Sequence, residues 1–468
     1  MPALPDLAPL LCPRSIAVLG ASNDLQKVGG MPIRLLRENG FEGAIYPVHL
    51  QSHEIQGLRA YPSLQDIGHS VDLVIIALPA SACEDAIDQV CASGALAAII
   101  LSSGFAETGG IGVIMQERLA LQARGAGVLV LGPNCLGAMN LRHKVFSTFS
   151  PMALGGAAAP GRIALVSQSG AFGGYAFSMA KQQNLGLSHW VTTGNEAGVQ
   201  VADALHWLAH DADTDLIIAY MEGIKDLPRL RAALQACKTA NKPIVMMKVG
   251  HTEAGRRAAL AHTASDTGND DVFSALFDEF GVHRVGSLNE LVRIARVLNF
   301  RQLGSSGTTP GHATALLSIS GGAGIMMADR AQDLGLDLPA FPQDAAKRLK
   351  EAIHFASAGN PIDVTGQVFS QPDVLIRAME DAALCGQYAN VVVFLAGAAL
   401  IEAFWSKLQS CLFALRARTP SLRIVLSGVV SSAQQGWLET HGVWASPDPV
   451  EAVDAVALLS GLRLPYRR

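Results

Sequence analysis

The 468-residue sequence predicts an α/β protein made of three consecutive doubly wound modules. Three observations carry that expectation. Short apolar runs that read as strands alternate with amphipathic stretches that read as helices, the pattern of parallel sheets covered on both faces. Half of the residues are hydrophobic and 16% are charged, so large cores can be buried, and 46 glycines supply tight turns. A glycine-rich turn that follows an apolar strand and opens a helix also recurs at roughly 150-residue spacing, the size of one domain. The three turns are SIAVLGAS ending at Ser22, RIALVSQSGAFGG ending at Gly174 and ALLSISGGAG ending at Gly324.

The elements follow in order. In residues 1–150, strand SIAVLG leads to a helix around Ile33–Glu38, then AIYPVH, VDLVIIAL, a helix near Glu84–Ala92, AAIILSS, a helix near Gln116–Arg124 and GVLVLG. The segment PMALGGAAAPG reads as a linker. Residues 151–303 give RIALVS, LSHWVTTG, DLIIAYMEG and PIVMMKVG, with a helix after each of the first three. The stretch HTEAGRRAALAHTASDTG reads as irregular. The helix DDVFSALFDEF, the short strand VHRV and the helix LNELVRIARVLNF complete this module. The polar run GSSGTTPGH around Gly304–His312 is the clearest linker. Residues 304–468 begin with ALLSIS and the helix IMMADRAQDLG. NPIDVTG, ANVVVFLAGA and LRIVLSGVV supply further strand-like runs, and a helix spans Pro449–Leu459.

Composition narrows the function. The net charge is −5 and no basic run exists, which argues against nucleic acid as a partner. The N-terminal MPALPDLAPLLCPRS lacks a basic region and a long apolar core, so no signal peptide is expected. No apolar stretch approaches the ~20 residues that span a bilayer, so no membrane partner is expected. Seven cysteines are scattered without metal-ligand spacing, which suits reduced thiols in a cytoplasmic protein and predicts no metal site. Cys135 lies in a glycine-rich loop, where a small filler residue is the reading preferred to a nucleophile.

Each glycine-rich turn leaves the first N–H groups of a helix bare and aimed outward, a ready site for phosphate or another anion. The first turn, GASNDLQKVGG, is not a nicotinamide-dinucleotide fingerprint. Leu25 stands where the last glycine belongs, and the second strand ends in PVHLQS, without the acid that would hold a ribose. A different ligand carrying an adenine diphosphate is still compatible with this turn. In the second turn, Ser167, Gln168, Ser169 and Gly170 offer hydroxyls and consecutive N–H groups to a phosphate. VSQSG is not a serine-hydrolase elbow, because position 167 is serine and no acid–histidine pair follows in order. The third turn repeats the geometry with Gly321, Gly322 and Gly324.

His262, in AALAHTASDTG, follows a strand end at the edge where parallel sheets bind ligands. Neutral imidazole is a competent nucleophile when a carboxylate fixes its tautomer. Glu222, in YMEGIKD at the end of another strand, is the candidate for that carboxylate. If the second and third turns faced one another, His262 would sit between two positive helix ends, each worth about 1–2 kcal/mol to a phosphorylated ring. Phe172, Tyr175 and Trp190 fit either pocket walls or core packing.

These blocks resemble the NDP-forming acyl-CoA synthetases, the superfamily of succinyl-CoA synthetase and ADP-forming acetyl-CoA synthetase. SIAVLGAS, KVG, IYPV, GLRAYPSL, VDLVIIALPA and GPNCLGAMN match in the first module. SQSGAF, TTGNEA, YMEGIKD, KPIVMMKVG and the His262 loop match in the second, and SGGAGI and NPIDVTG (Asn360–Gly366) in the third. The resemblance implies a Rossmann-like CoA-binding domain followed by two flavodoxin-like ligase domains. It implies that Gly20, Ala21, Ser22, Lys27, Pro79, Ser102, Gly104 and Asn134 surround coenzyme A, that His262 is the phosphorylated histidine and that Glu222 is its partner. Departures exist: Ala261 and Ala264 flank the histidine in place of Ser and Gly, Gly198 stands where many relatives carry Asp, and PVHL replaces P-V-N-P.

The family also uses an ATP-grasp domain, and no constellation of that fold is visible in this sequence. The resemblance therefore implies an α-type subunit that works with a separate ATP-grasp β subunit, possibly as α2β2, which carries ADP or ATP and Mg. The implied reaction interconverts acyl-CoA, ADP and phosphate with a small carboxylic acid, CoA and ATP. A catalytically inactive CoA-binding or regulatory protein of the same fold is the alternative, motivated by the altered histidine flanks. A nicotinamide-dependent dehydrogenase is the more distant rival.

Overall fold

The strands are built from residues that favour extended backbone and burial on both faces. Val, Ile, Leu and Ala fill LVII at Leu73–Ile76 and AAII at Ala97–Ile100, and every residue of both runs is buried. The computed structural model describes residues 4–155, 160–263, 268–304 and 311–466, with the backbone alone described at 260–263 and 301–304. The chain divides into two units, Met1–Ala295 with Tyr466–Arg468, and Arg296–Pro465.

The first unit contains two large sheets. Strands β1 (Ser15–Leu19), β2 (Ala44–Val48), β3 (Leu73–Ile76), β4 (Ala97–Ile100) and β5 (Leu129–Leu131) form a parallel sheet in the order β2-β1-β3-β4-β5. The chain reverses its direction of travel across the sheet at β1, so the crevice beyond the carboxyl ends of β1 and β3 is the place for a ligand. The turn after β1 is tightly packed. Gly20 has φ +85°, and a methyl group on Gly29 would lie 1.9 Å from the Gly20 carbonyl oxygen. The absence of a side chain at Gly20 and Gly29 lets helix α1 (Met31–Glu38) start this close to the strand.

The second sheet has strands β6 (Gly137–Asn140), β7 (Val145–Thr148), β8 (Ile163–Ser167), β9 (Leu187–Thr192), β10 (Leu216–Met221), β11 (Ile244–Lys248) and β12 (His283–Arg284). Their order is β12-β11-β10-β8-β9-β6-β7. The strands from β8 to β12 are parallel, and helices α2 (Gly170–Gln182), α3 (Val201–His210) and α4 (Leu227–Thr239) connect β8 to β11. The β6–β7 hairpin pairs antiparallel with β9. Within a few residues of leaving β5 of the first sheet, the chain is therefore already hydrogen-bonded into the second.

The stretch from His251 to Gly268 is not irregular as the sequence suggested. Glu253–Thr263 forms helix α5. Ala and Arg are strong helix formers, Thr252 Oγ1 accepts from the Gly255 amide at 3.0 Å, and Arg257 pairs with Glu253 one turn away at 2.6 Å. Residues 264–267 lie outside the described residues.

The second unit holds strands β13 (Thr314–Ser318), β14 (Ser357–Ala358), β15 (Ile362–Asp363), β16 (Asn390–Ala396), β17 (Arg423–Gly428) and β18 (Val443–Ser446) in the order β14-β15-β13-β16-β17-β18. Helix α6 (Gly321–Asp333) follows β13 and packs on α7 (Pro449–Leu459) through a buried ion pair, Arg330 Nε to Asp454 Oδ1 at 2.7 Å. Asn360 pins the strand edge. Its Oδ1 accepts from Leu316 N at 3.0 Å, and its Nδ2 donates to the carbonyls of Thr314 and Pro339.

Candidate active site

The turn between β8 and α2 is held by a dense set of hydrogen bonds. Ser169 caps α2, its Oγ accepting from the Phe172 amide at 3.4 Å. Ser167 is fully buried and spends its hydroxyl on the Ser169 carbonyl at 2.6 Å, so it shapes the turn and does not face a ligand. Gln168 bridges three strand ends. Its N–H donates to Tyr220 O at 3.0 Å, its carbonyl accepts from Gly194 N at 3.1 Å, and its Oε1 accepts from the amides of Glu222 and Gly223 at 2.8 and 3.0 Å. The loops after β8, β9 and β10 are thereby tied together.

Those loops enclose a cavity of about 260 Å³. Its polar lining includes Asn134, Gln168, Ser169, the Gly170 turn, Asn195 and Glu222. Its apolar lining comes from Leu101, Leu136 and Phe149. The structure thus brings together one residue expected at coenzyme A, three expected at phosphate and the expected catalytic carboxylate. Glu222 is buried and accepts a hydrogen bond from the Tyr220 hydroxyl. Burial first, and the Glu222 charge second, hold that phenol well above its ordinary value, so it remains a donor. The Tyr220 ring stacks on Phe172 with centroids 4.0 Å apart, which anchors it against the first turn of α2.

The backbone of His262 lies in the last turn of α5, and its side chain lies outside the described residues, as does Ala264 altogether. Gly20, Ala21, Ser22, Lys27, Pro79, Ser102 and Gly104 do not line the 260 Å³ cavity. They belong to the loops at the carboxyl ends of β1, β3 and β4, where Lys27 and Pro79 are exposed. Ser22 Oγ accepts from the Asp24 amide at 3.1 Å, and Ser102 donates its hydroxyl to the Leu78 carbonyl. Gly104, with φ +107°, donates its amide to Glu107 at 2.5 Å.

In the second unit, Gly321, Gly322 and Gly324 open α6 as expected of a helix N-terminus. A methyl group on Gly321 would lie 3.2 Å from Asp363 Oδ2, so a carboxylate already stands beside this helix start. That negative charge opposes an anion there. Phe172 stacks on Tyr220, Trp190 is fully buried and donates to the Gly173 carbonyl at 2.8 Å, and Tyr175 is exposed. None of the three lines the cavity. Cys135 is buried with its thiol pushed up to about 12 by desolvation, which leaves it protonated and packed as filler.

Sequence reasoning did not single out Glu107, Gln116 or Asn195. The Asn195 Nδ2 donates to Glu107 Oε2 at 2.5 Å and to Gln116 Oε1 at 2.9 Å. Only the block TTGNEA pointed toward this network. Burial alone would raise the Glu107 carboxyl, but hydrogen bonds from Asn195 and from the backbone at Gly104, Glu107 and Phe105 outweigh it and hold it below the usual range. The glycine at 198 also has a local cause. A side chain there would begin 2.6 Å from the Val130 carbonyl oxygen, which leaves no room for aspartate.

Among the described residues there is no group of three or more His, Cys, Asp or Glu side chains placed to hold a metal ion, and no helix is long and apolar enough to cross a membrane. Comparison with known proteins matches residues 14–140 to the family model described as a CoA binding domain. Residues 160–298 match the succinyl-CoA ligase like flavodoxin domain. The chain is 31% identical over 464 residues to the acetate–CoA ligase (ADP-forming) I subunit alpha of Pyrococcus furiosus, covering 97% of each chain. It is 34% identical over 364 residues to acetate–CoA ligase (ADP-forming) II of Archaeoglobus fulgidus, and spans 52% of that protein's length. A solved structure of Ca. Korarchaeum cryptofilum dinucleotide-forming acetyl-coenzyme A synthetase 1, in complex with phosphate and ADP, is 28% identical with a TM-score of 0.81, over 97% of this chain and 98% of that one.

Proposed function

Because the chain belongs to the family of ADP-forming acetate–CoA ligase α subunits, we propose that its cavity is where a CoA thioester, phosphate and the acyl group meet. The observation that carries this reading is the convergence of Asn134, the Gln168–Gly170 turn and Glu222 on one cavity. The chain is an acid–thiol ligase subunit, and it acts on coenzyme A as substrate. The acid is small, since the apolar wall of Leu101, Leu136 and Phe149 bounds a space of about 260 Å³ that phosphate must share.

In this reading phosphate sits on the amides that open α2 and attacks the thioester carbonyl. The C–S bond breaks, CoA leaves as the thiolate, and an acyl phosphate forms. The Nε2 or Nδ1 of His262 then attacks phosphorus, the P–O bond to the acyl group breaks, and the carboxylic acid is released. Glu222 accepts a hydrogen bond from the other ring nitrogen and fixes the tautomer. Phospho-His262 passes its phosphoryl group to ADP on a separate ATP-grasp β subunit, which also carries Mg. Most of the rate comes from holding the reacting atoms in line and stabilising charge. Splitting the transfer through one covalent intermediate lets two sites share one high-energy group.

The test is phosphorylation of the purified chain from acetyl-CoA and labelled phosphate. Wild type acquires an acid-labile label, and His262→Ala acquires none while still binding CoA. Persistent labelling of that variant refutes the role of His262. Glu222→Gln is expected to slow labelling without lowering the melting temperature. An unchanged rate removes Glu222 from the mechanism.

A further inference from the structure

Tyr466 belongs to the first unit, although the residues just before it belong to the second. Its ring lies over the Arg284 guanidinium, with Cζ 4.3 Å from the ring centroid, and meets the His251 ring edge-on, 6.4 Å away at 89°. Among the described residues the Tyr466 hydroxyl makes no hydrogen bond, so the ring is the part in use. Arg284 is suited to such a cover. It is buried, its two terminal nitrogens grip both carboxylate oxygens of Asp270 at 2.5 and 3.2 Å, and Nη1 also donates to Ser274 Oγ at 2.8 Å. All guanidinium donors lie in one plane, so the face has no hydrogen bond to make and an aromatic ring stabilises it. The sheet holds the Arg284 backbone, which pairs with Met246 of β11, and the Val285 amide donates to the Met246 carbonyl at 3.0 Å.

His251 and Asp270 bound the segment that carries His262. His251 lies just before α5, and Asp270 opens the helix Asp270–Phe280. One ring therefore touches the entry to this segment directly and holds its exit through the Arg284–Asp270 pair. In between, α5 runs alongside the turn Ala106–Thr108, where Glu107 accepts from Asn195 of the cavity lining. The bearing on which α5 leaves β11 thus decides where its last turn, with His262, stands relative to the cavity. At 1.5 Å rise per residue, a tilt of about 10° at Glu253 moves that turn by about 2 Å. A misplacement of about 1 Å at reacting atoms can cost about a hundredfold in rate.

We propose that Tyr466 is a positioning residue for phosphoryl transfer: its ring, over Arg284 and against His251, fixes both margins of the His262 segment and with them the bearing of α5. This rests on the reading of His262 above as the phosphoryl acceptor. The role belongs to the π face and not to the hydroxyl. Tyr466→Phe therefore keeps it, whereas Tyr466→Leu, which is apolar but has no π face, and Tyr466→Ala both remove it.

Single-turnover labelling of the full chain from acetyl-CoA and labelled phosphate tests this, with CoA affinity from titration calorimetry and melting temperature measured alongside. The Phe variant is expected to label within about twofold of wild type, and the Leu and Ala variants about tenfold or more slowly. All three should bind CoA within about twofold of wild type, because Tyr466 does not line the cavity. A ring that served only the fold would lower the melting temperature and leave the labelling rate of the folded protein unchanged. An Ala or Leu variant that labels at the wild-type rate, a Leu variant as fast as Phe, or a loss of CoA binding in step with labelling overturns the proposal. If the Ala variant does not fold, the comparison of Phe with Leu decides. A wild-type chain that acquires no label, or a label that persists in His262→Ala, overturns the functional reading instead.

Discussion

Glu196 is a buried acid with φ +55° whose carboxyl is pushed up to about 7. Desolvation is the main cause, opposed by the Val201 amide, the Lys225 charge and the Thr193 hydroxyl. Lys225, which donates to the carbonyls of Asn195 and Glu196, is pushed down by its own burial. The folded chain holds a proton on Glu196 between its ordinary value of 4.5 and about 7, and the unfolded chain does not. This contribution is complete below about pH 4.5 and is lost as pH rises through about 7. Glu196→Gln keeps an oxygen for Thr193 and Val201 without the titration. Its melting temperature should exceed wild type at about pH 8 and converge with it toward about pH 5, and parallel curves across that range would contradict the assignment. Tyr220 is the second residue with a measurable consequence. Tyr220→Phe removes the donor on Glu222, a hydrogen bond to a charged group worth about 1.5–3 kcal/mol, so phosphorylation of His262 should slow about tenfold or more in single-turnover labelling. The sequence exposed Glu222 through its position at a strand end. It hid Glu107 and Asn195, which lie 88 residues apart and meet only once two sheets are assembled.

At the scale of elements, apolar strands and the turns after them were legible because burial on both faces leaves an unmistakable run of Val, Ile and Leu. Pairing was less legible. The segment GAMN at β6 has no apolar run, and its hydrogen bonds go to β9, some fifty residues away. Helix α5 was hidden for a different reason, since small and charged residues mask its period while Thr252 and Glu253 stabilise its start. The first turn of α2 has little tolerance. A methyl group on Gly173 would lie 2.8 Å from Thr192 Cγ2 and 2.9 Å from Ser167 Cβ. Gly173→Ala should destabilise the chain by about 1–3 kcal/mol in denaturant unfolding, the usual range for overpacking. It should also weaken CoA binding, because the turn it displaces lines the cavity. Unchanged stability would mean that α2 slides outward at no cost.

For the whole molecule, three doubly wound modules were expected and three large sheets are present among the described residues, and the chain divides into two units. Each unit offers its own handle. In the second, breaking the buried Arg330–Asp454 pair by Asp454→Asn should cost about 3–5 kcal/mol of stability. CoA affinity, read in the first unit, should stay at the wild-type value under native conditions. A loss of CoA binding in the folded variant would show that the two units are energetically coupled. The residues Gly132–Gly137 run from the last strand of one sheet to the first hairpin strand of the next, and they supply Asn134, Cys135 and Leu136 to the cavity. They are strapped at both margins, by the Asn134 amide to Ser102 on one side and by the Leu136 and Gly137 amides to Thr192 on the other. The floor of the cavity is thus a suspended bridge with fixed abutments. Any shear between the two sheets would therefore be delivered straight to the cavity floor, because the same six residues are tied to both.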